Sequence, residues 1–183
     1  MVISKFLSRS VWSPQTPDLR GRAKLDLIKN LDQEGICNIK LAKNHKLLLE
    51  QIMVQLEPDA VILWLINKNT SQPVITNSLG LQVIPSINDH FHSWKGLIWR
   101  VIQKRDLVSL PNIWTETSAL VRASHFRKER FITYHGLPLI SRGKMLGVLE
   151  IFHRREFKAE SIWIELFRNL AAQGSNTLDT NIP

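Results

Sequence analysis

The stretch FITYHGLPLISRGKMLGVLEIFHR, residues 131–154, decides the fold. It reads as two apolar strands joined by a tight turn at Ser141-Arg142-Gly143, where the glycine supplies a backbone conformation that other residues resist. The run Gly147-Val148-Leu149-Glu150-Ile151-Phe152 is apolar at nearly every position, the pattern of a strand covered on both faces. Alternation puts Met145, Gly147, Leu149 and Ile151 on one face, with Leu146, Val148, Glu150 and Phe152 on the other. On the preceding strand, Tyr134, Gly136, Pro138 and Ile140 share a face. Gly147 is expected to let a helix approach the strand closely.

Working outward, the segment AESIWIELFRNLAAQGSNTLDTN carries Ile162, Leu166 and Leu170 at steps of four, one face of a helix that Gly174 frays or stops. Upstream, SALVRASHFRKER reads as a helix, LVSLPNI as a short strand, and KGLIWRVIQKRD as a helix with Leu97, Val101 and Ile102 inward. DAVILWLIN is a continuous apolar run, and PVITNSLG across the turn KNTSQ is its hairpin partner. HKLLLEQIMVQLE, capped by Asn44 and followed by Pro58, buries Leu48, Ile52 and Leu56. The domain reading is an arm over 1–17, a helix and joint over 18–43, and a domain over 44–181 that includes a C-terminal connector helix. With βαβ alternation missing, the class is α+β rather than doubly wound.

The chain has 183 residues, 44% hydrophobic and 22% charged, enough for a full core. One cysteine, Cys37, leaves no disulfide framework and no multi-thiolate zinc site. No segment is apolar over the length of a bilayer crossing, and the expectation is a cytoplasmic protein without a membrane partner. The net charge of +8 is scattered rather than clustered, so a solvated surface is preferred to nucleic-acid binding. His90 and His92, with His125, His135 and His153 elsewhere, lack the convergence a metal site needs and read as exposed loop histidines. Arg122–Arg130 is rich in cations, read as a solvated helix face rather than an anion site.

KGLIWRVIQKRDLVSLPNI, FITYHGLPLISRGKMLGVLEIFHRREF and WIELFRNLAAQ, taken together, resemble the consecutive signatures of a GAF domain of bacterial signal-transduction proteins. The setting of such a domain is a two-component sensor, a response regulator or an HD-type phosphodiesterase. The resemblance implies five or six mostly antiparallel strands, terminal helices on one face, and a pocket-covering helical layer on the other. It also implies a non-catalytic sensory role: binding an unidentified small molecule, or relaying a signal through the terminal helices of a homodimer to an output domain in a longer parent protein.

By the same resemblance Tyr134, Gly136 and Phe152 face the ligand side, and alternation places Val148 and Glu150 with them. Glu150 would bond a ligand nitrogen or, as the plainer alternative, a neighbouring Arg or the Tyr134 hydroxyl. Trp99 would stack on a planar ligand or anchor its helix to the sheet. Cys37 precedes the matching region, against covalent bilin attachment, and the NKFD-type motif of cyclic-nucleotide-binding members is absent between Asn112 and Arg130. The cofactor is therefore left unknown. The alternatives are a ligand-free dimerisation module and, further off, a basic nucleic-acid-binding protein.

Overall fold

Every strand of the sheet pairs antiparallel with its neighbours, in the order β2-β1-β5-β4-β3. The strands are β1 (Ala60–Ile66), β2 (Pro73–Leu79), β3 (Val108–Leu110), β4 (Thr133–Ser141) and β5 (Lys144–His153). The computed structural model describes residues 43–83, 96–115 and 123–180, all within one compact unit, Cys37–Pro183. The expected arm over 1–17 and the helix over 18–43 lie outside the described residues, apart from residue 43 itself.

β4 and β5 form the hairpin expected from the central stretch. Gly143, at φ 78°, turns it in the left-handed region with open space around the α-carbon. One detail departs from simple alternation. Leu139 pairs with Gly147 and Ile140 with Met145, so Leu146 is the extra residue of a β-bulge. The bulge reverses the parity on that side, and Leu146 packs with the helix-facing core rather than beside Val148.

Two cores share the sheet. On one face helix α1 (residues 43–56) lays Leu48, Leu49, Ile52 and Leu56 onto Val61, Leu63, Leu149 and Ile151. Helix α4 (Ser161–Thr180) adds Phe167, Leu170, Ala171 and Leu178. Of the stripe read at steps of four, Leu170 is buried and Leu166 packs against this core, but Ile162 is 79% exposed, and Trp163 turns inward instead, donating its indole N–H to the Leu56 carbonyl at 3.2 Å. Gly174 does not end α4. A β-carbon there would sit 2.6 Å from Leu48 Cδ2, so the glycine lets α1 and α4 close on each other.

The other face carries α2 (Leu97–Lys104), a short 3-10 turn at Ile113–Thr115 and α3 (Ala123–Glu129). Leu97, Ile98, Val101, Val108, Leu110, Ile113, Phe126 and Phe131 cover Ala60, Ile62, Trp64, Tyr134, Val148 and Phe152. The α2 amphipathicity read from sequence is present, with Leu97 and Val101 buried and Ile102 half-buried against this core. Gly147 serves a different purpose from the one expected. A β-carbon there would lie 2.0 Å from the Trp64 carbonyl oxygen, so the close neighbour is the backbone of β1, not a helix.

Candidate functional site

The α2–α3 face of the sheet brings together five of the six residues singled out in sequence. Pairing across three strands sets them: Phe152 lies between Ala60 of β1 and Tyr134 of β4, Glu150 between Ile62 and Gly136, and Val148 between Trp64 and Pro138. Tyr134, Val148, Glu150 and Phe152 are all fully buried.

Aromatic rings close much of this floor. Phe131 stacks on Phe152 with centroids 4.5 Å apart, Tyr134 tilts onto Phe152 at 5.4 Å, and Phe126 does so at 5.6 Å. Gly136 makes room for the Tyr134 hydroxyl: a β-carbon would come within 2.3 Å of it and 2.6 Å of Val101 Cγ2. Any side chain at position 136 would displace either the phenol or α2.

Glu150 is the polar centre of this floor. Trp64 donates its indole N–H to Glu150 Oε2 at 2.7 Å, a buried contact between neighbouring strands. This indole is a partner that the plainer alternative, an Arg or the Tyr134 hydroxyl, did not name. Sequence reading missed Trp64 because it sits in the unbroken apolar run of β1, where alternation cannot mark it. The signal was chemical: a buried tryptophan needs an acceptor, and Glu150 is the acceptor on the same face.

Trp99 does not join the set. On α2, Leu97, Ile98 and Val101 face the sheet, whereas Trp99 is 40% exposed, so it neither anchors the helix as expected nor reaches the floor. Helical geometry is the reason: two residues beyond Leu97 is about 200° around the helix axis.

A second polar cluster, unseen in sequence, ties the rim of this layer together. The Glu129 carboxyl, at the end of α3, accepts the backbone N–H groups of Gln82 at 3.0 Å and Val83 at 2.6 Å and the Arg154 guanidinium at 2.7 Å. Arg154 also donates to the carbonyls of Glu129, Asp59 and Gly80, and its backbone N–H goes to Asp59 Oδ2. Its guanidinium lies over the Phe131 ring at 5.2 Å. Burial alone would push the Glu129 carboxyl up, but these N–H donors outweigh it and hold the group below its ordinary range. The ends of β1, β2, α3 and β5 thus meet at one guanidinium. Glu129 and Arg154 are too far apart in sequence for spacing to reveal the pair.

The cationic segment 122–130 is only partly the solvated face expected: Arg127, Lys128 and Arg130 are exposed, but Phe126, Glu129 and His125 are buried. The histidine expectation needs correction as well. His125, His135 and His153 are 5%, 1% and 1% exposed, not loop residues in solvent; His90 and His92 lie outside the described residues. Strand alternation was the available signal, since His135 and His153 interleave with Tyr134, Gly136 and Phe152. Among the described residues no group of three or more His, Cys, Asp or Glu side chains is arranged to hold a metal.

Comparison with solved structures finds the same architecture in bacterial proteins. The GAF domain of a phosphoenolpyruvate-protein phosphotransferase (ptsP) from Coxiella burnetii superposes with a TM-score of 0.64 at 18% identity, covering 85% of this chain and 92% of that one. The corresponding domain from Acinetobacter gives 0.62 at 18% identity, covering 86% and 94%. A GAF domain/HD domain protein from Geobacter sulfurreducens gives 0.61 at 12% identity, covering 76% and 92%. No curated protein sequence matches the chain. The GAF domain family model matches residues 46–178, most of the chain. With sheet order, paired helical layers and family match in agreement, this chain belongs to the GAF domain family.

Proposed function

We propose that this chain is a non-catalytic regulatory domain of a cytoplasmic bacterial signalling protein, sensing a small molecule on the α2–α3 face of its sheet and passing the change to α1 and α4. The observation that carries this reading is the double duty of β5. Val148, Glu150 and Phe152 pack into the α2–α3 core, while the intervening Leu149 and Ile151 pack under α1 and α4. Side chains in such close-packed layers do not move singly, so a ligand that displaces the Glu150–Trp64 contact or the rings around Phe152 shifts the strand that both layers share.

Dimerisation through the terminal helices forms part of this reading. Val54 of α1 and Ile162 of α4 are large apolar side chains 76% and 79% exposed, on the helices that would carry the signal outward. No helix of the described residues is long and apolar enough to cross a membrane.

Native mass spectrometry of freshly purified protein tests the proposal. A dimer carrying a non-covalent adduct of defined mass, lost in Glu150→Gln, supports it. A monomer without adduct contradicts it. One alternative has its own support: the candidate floor is closed by Trp64, Phe126, Phe131, Tyr134 and Phe152, all at most 1% exposed. That packing suits a ligand-free relay module, for which the same experiment gives a clean dimer.

A further inference from the structure

Two histidines that the sensory reading leaves unused face the terminal-helix layer. His135 of β4 and His153 of β5 have ring centroids 5.9 Å apart in an edge-on arrangement. Aromatic rings box them in. Phe157 stacks on His153 at 4.2 Å, and Trp163, in the first turn of α4, lies 4.8 Å from His135 and 6.2 Å from His153.

Hydrogen bonding at the pair is incomplete. His135 Nδ1 lies 2.8 Å from Ser109 Oγ. His135 Nε2 and both ring nitrogens of His153 are buried and have no hydrogen-bond partner among the described residues. A neutral imidazole suits this box, because its apolar edges pack against Phe157 and Trp163. An imidazolium does not: each ring would present a charged N–H donor with no acceptor in a medium of low dielectric.

Among the described residues, few charges face the pair. Asp59, just before β1, favours a charged His153, but its Oδ2 already accepts the Arg154 backbone N–H at 2.7 Å; Arg155 disfavours the charge. β3 contributes the Ser109 hydroxyl, and the connection into α4 and α4 itself contribute Phe157 and Trp163, all uncharged. From α1 comes the Leu56 carbonyl, which takes the Trp163 indole N–H.

We infer that the His135–His153 pair is an acid-released clasp: with both rings neutral it holds Trp163 and the first turn of α4 against the sheet, and a proton taken from solvent by either ring opens that contact. The inference stands on the geometry of the pair and does not require a ligand on the opposite face. The electrostatic environment agrees with it. Burial, aided by the neighbouring His153, lowers His135 from 6.5 to about 4, and burial likewise lowers His153 to about 4.

The direction follows from proton uptake. The unfolded chain binds protons at these rings below about pH 6.5 and the folded one only near pH 4, so the clasp's contribution to stability is complete above pH 6.5 and is lost as pH falls toward 4. At pH 5 each ring then raises the unfolding equilibrium constant by roughly 30-fold relative to neutral pH.

Urea denaturation of the full chain at pH 7.5 and pH 5.0, for wild type and His153→Phe, is the test. The variant is expected to lose roughly 30-fold less of its folding equilibrium constant on acidification than wild type. Equal acid losses in both proteins would overturn the inference. Should the variant not fold, NMR of histidine-labelled wild type decides. Both rings are expected to stay neutral down to pH 5.5, with the Trp163 indole resonance moving together with them below that. Rings titrating near pH 6.5, or a Trp163 signal that ignores their protonation, contradict it.

Discussion

Replacing Glu129 with Gln tests whether the rim of the α2–α3 layer is held by one buried ion pair. The carboxyl is fully buried, its partner Arg154 is 19% exposed, and the two meet at 2.7 Å. Removing one partner of a buried pair costs about 3–5 kcal/mol, because the other charge is left uncompensated. Here Arg154 keeps Asp59 and three backbone carbonyls, and an amide oxygen can still accept from Gln82 or Val83. The expected loss is therefore about 2–4 kcal/mol, or roughly 1–2 M in urea midpoint for a domain of this size.

Asp106→Asn is the internal comparison. Asp106 meets Arg168 at the same 2.7 Å, but the two side chains are 50% and 47% exposed, and exposed pairs contribute about 1 kcal/mol or less. Urea denaturation of both variants at pH 7.5 is the assay. If Glu129→Gln shifts the midpoint no more than Asp106→Asn, burial of the Glu129–Arg154 pair does not govern its strength and the rim argument fails.

Three further outcomes follow from the packing. Gly147→Ala places a methyl against the Trp64 carbonyl, which cannot rotate away, so β1 and β5 must part locally; a loss of about 3 kcal/mol by urea denaturation is expected, and a neutral result would remove the close approach from the account. Val54→Glu and Ile162→Glu should convert a dimer to monomer in size-exclusion chromatography with light scattering, with stability changed by only about 0.5 kcal/mol, since both positions are exposed in the single chain. Unchanged dimers would put the interface elsewhere. Acid should act in two steps: Glu129, held below its ordinary 4.5, keeps its contribution above that pH and loses it only below, so stability lost between pH 6.5 and 4.5 belongs to the histidines, and Glu129→Gln should leave that earlier step in place in pH-dependent urea melts.

The parts of the fold that repeat were legible in the sequence. The continuous apolar runs of β1 and β5, the stripe on α1 and the Gly143 turn each stated their structure locally. Where one residue breaks a period, local reading failed: the bulge at Leu146 reversed a parity, and on α4 the stripe held at Leu166 and Leu170 but not at its start, where Trp163 rather than Ile162 turns inward. The candidate site divides in the same way. Tyr134, Val148, Glu150 and Phe152 lie on one face because strand alternation fixes them there. Trp64, Arg154 and Glu129 were invisible because their partners come from other strands and helices, and only the assembled fold shows which donor meets which acceptor. Trp99 shows the converse error, since an aromatic on an amphipathic helix is not inward unless its angle says so.

The proposed relay requires that the two faces of the sheet be mechanically joined. Hydrogen exchange followed by mass spectrometry on Glu150→Gln addresses that most directly, because the substitution weakens a contact with Trp64 on the α2–α3 face, the opposite face of the sheet from the one on which α4 packs. Faster exchange in α4, in the segment from Trp163 to Ala171 that packs on β4 and β5, is the result this account predicts. Changes confined to β1, β5 and α2, with α4 protected as in wild type, would contradict it.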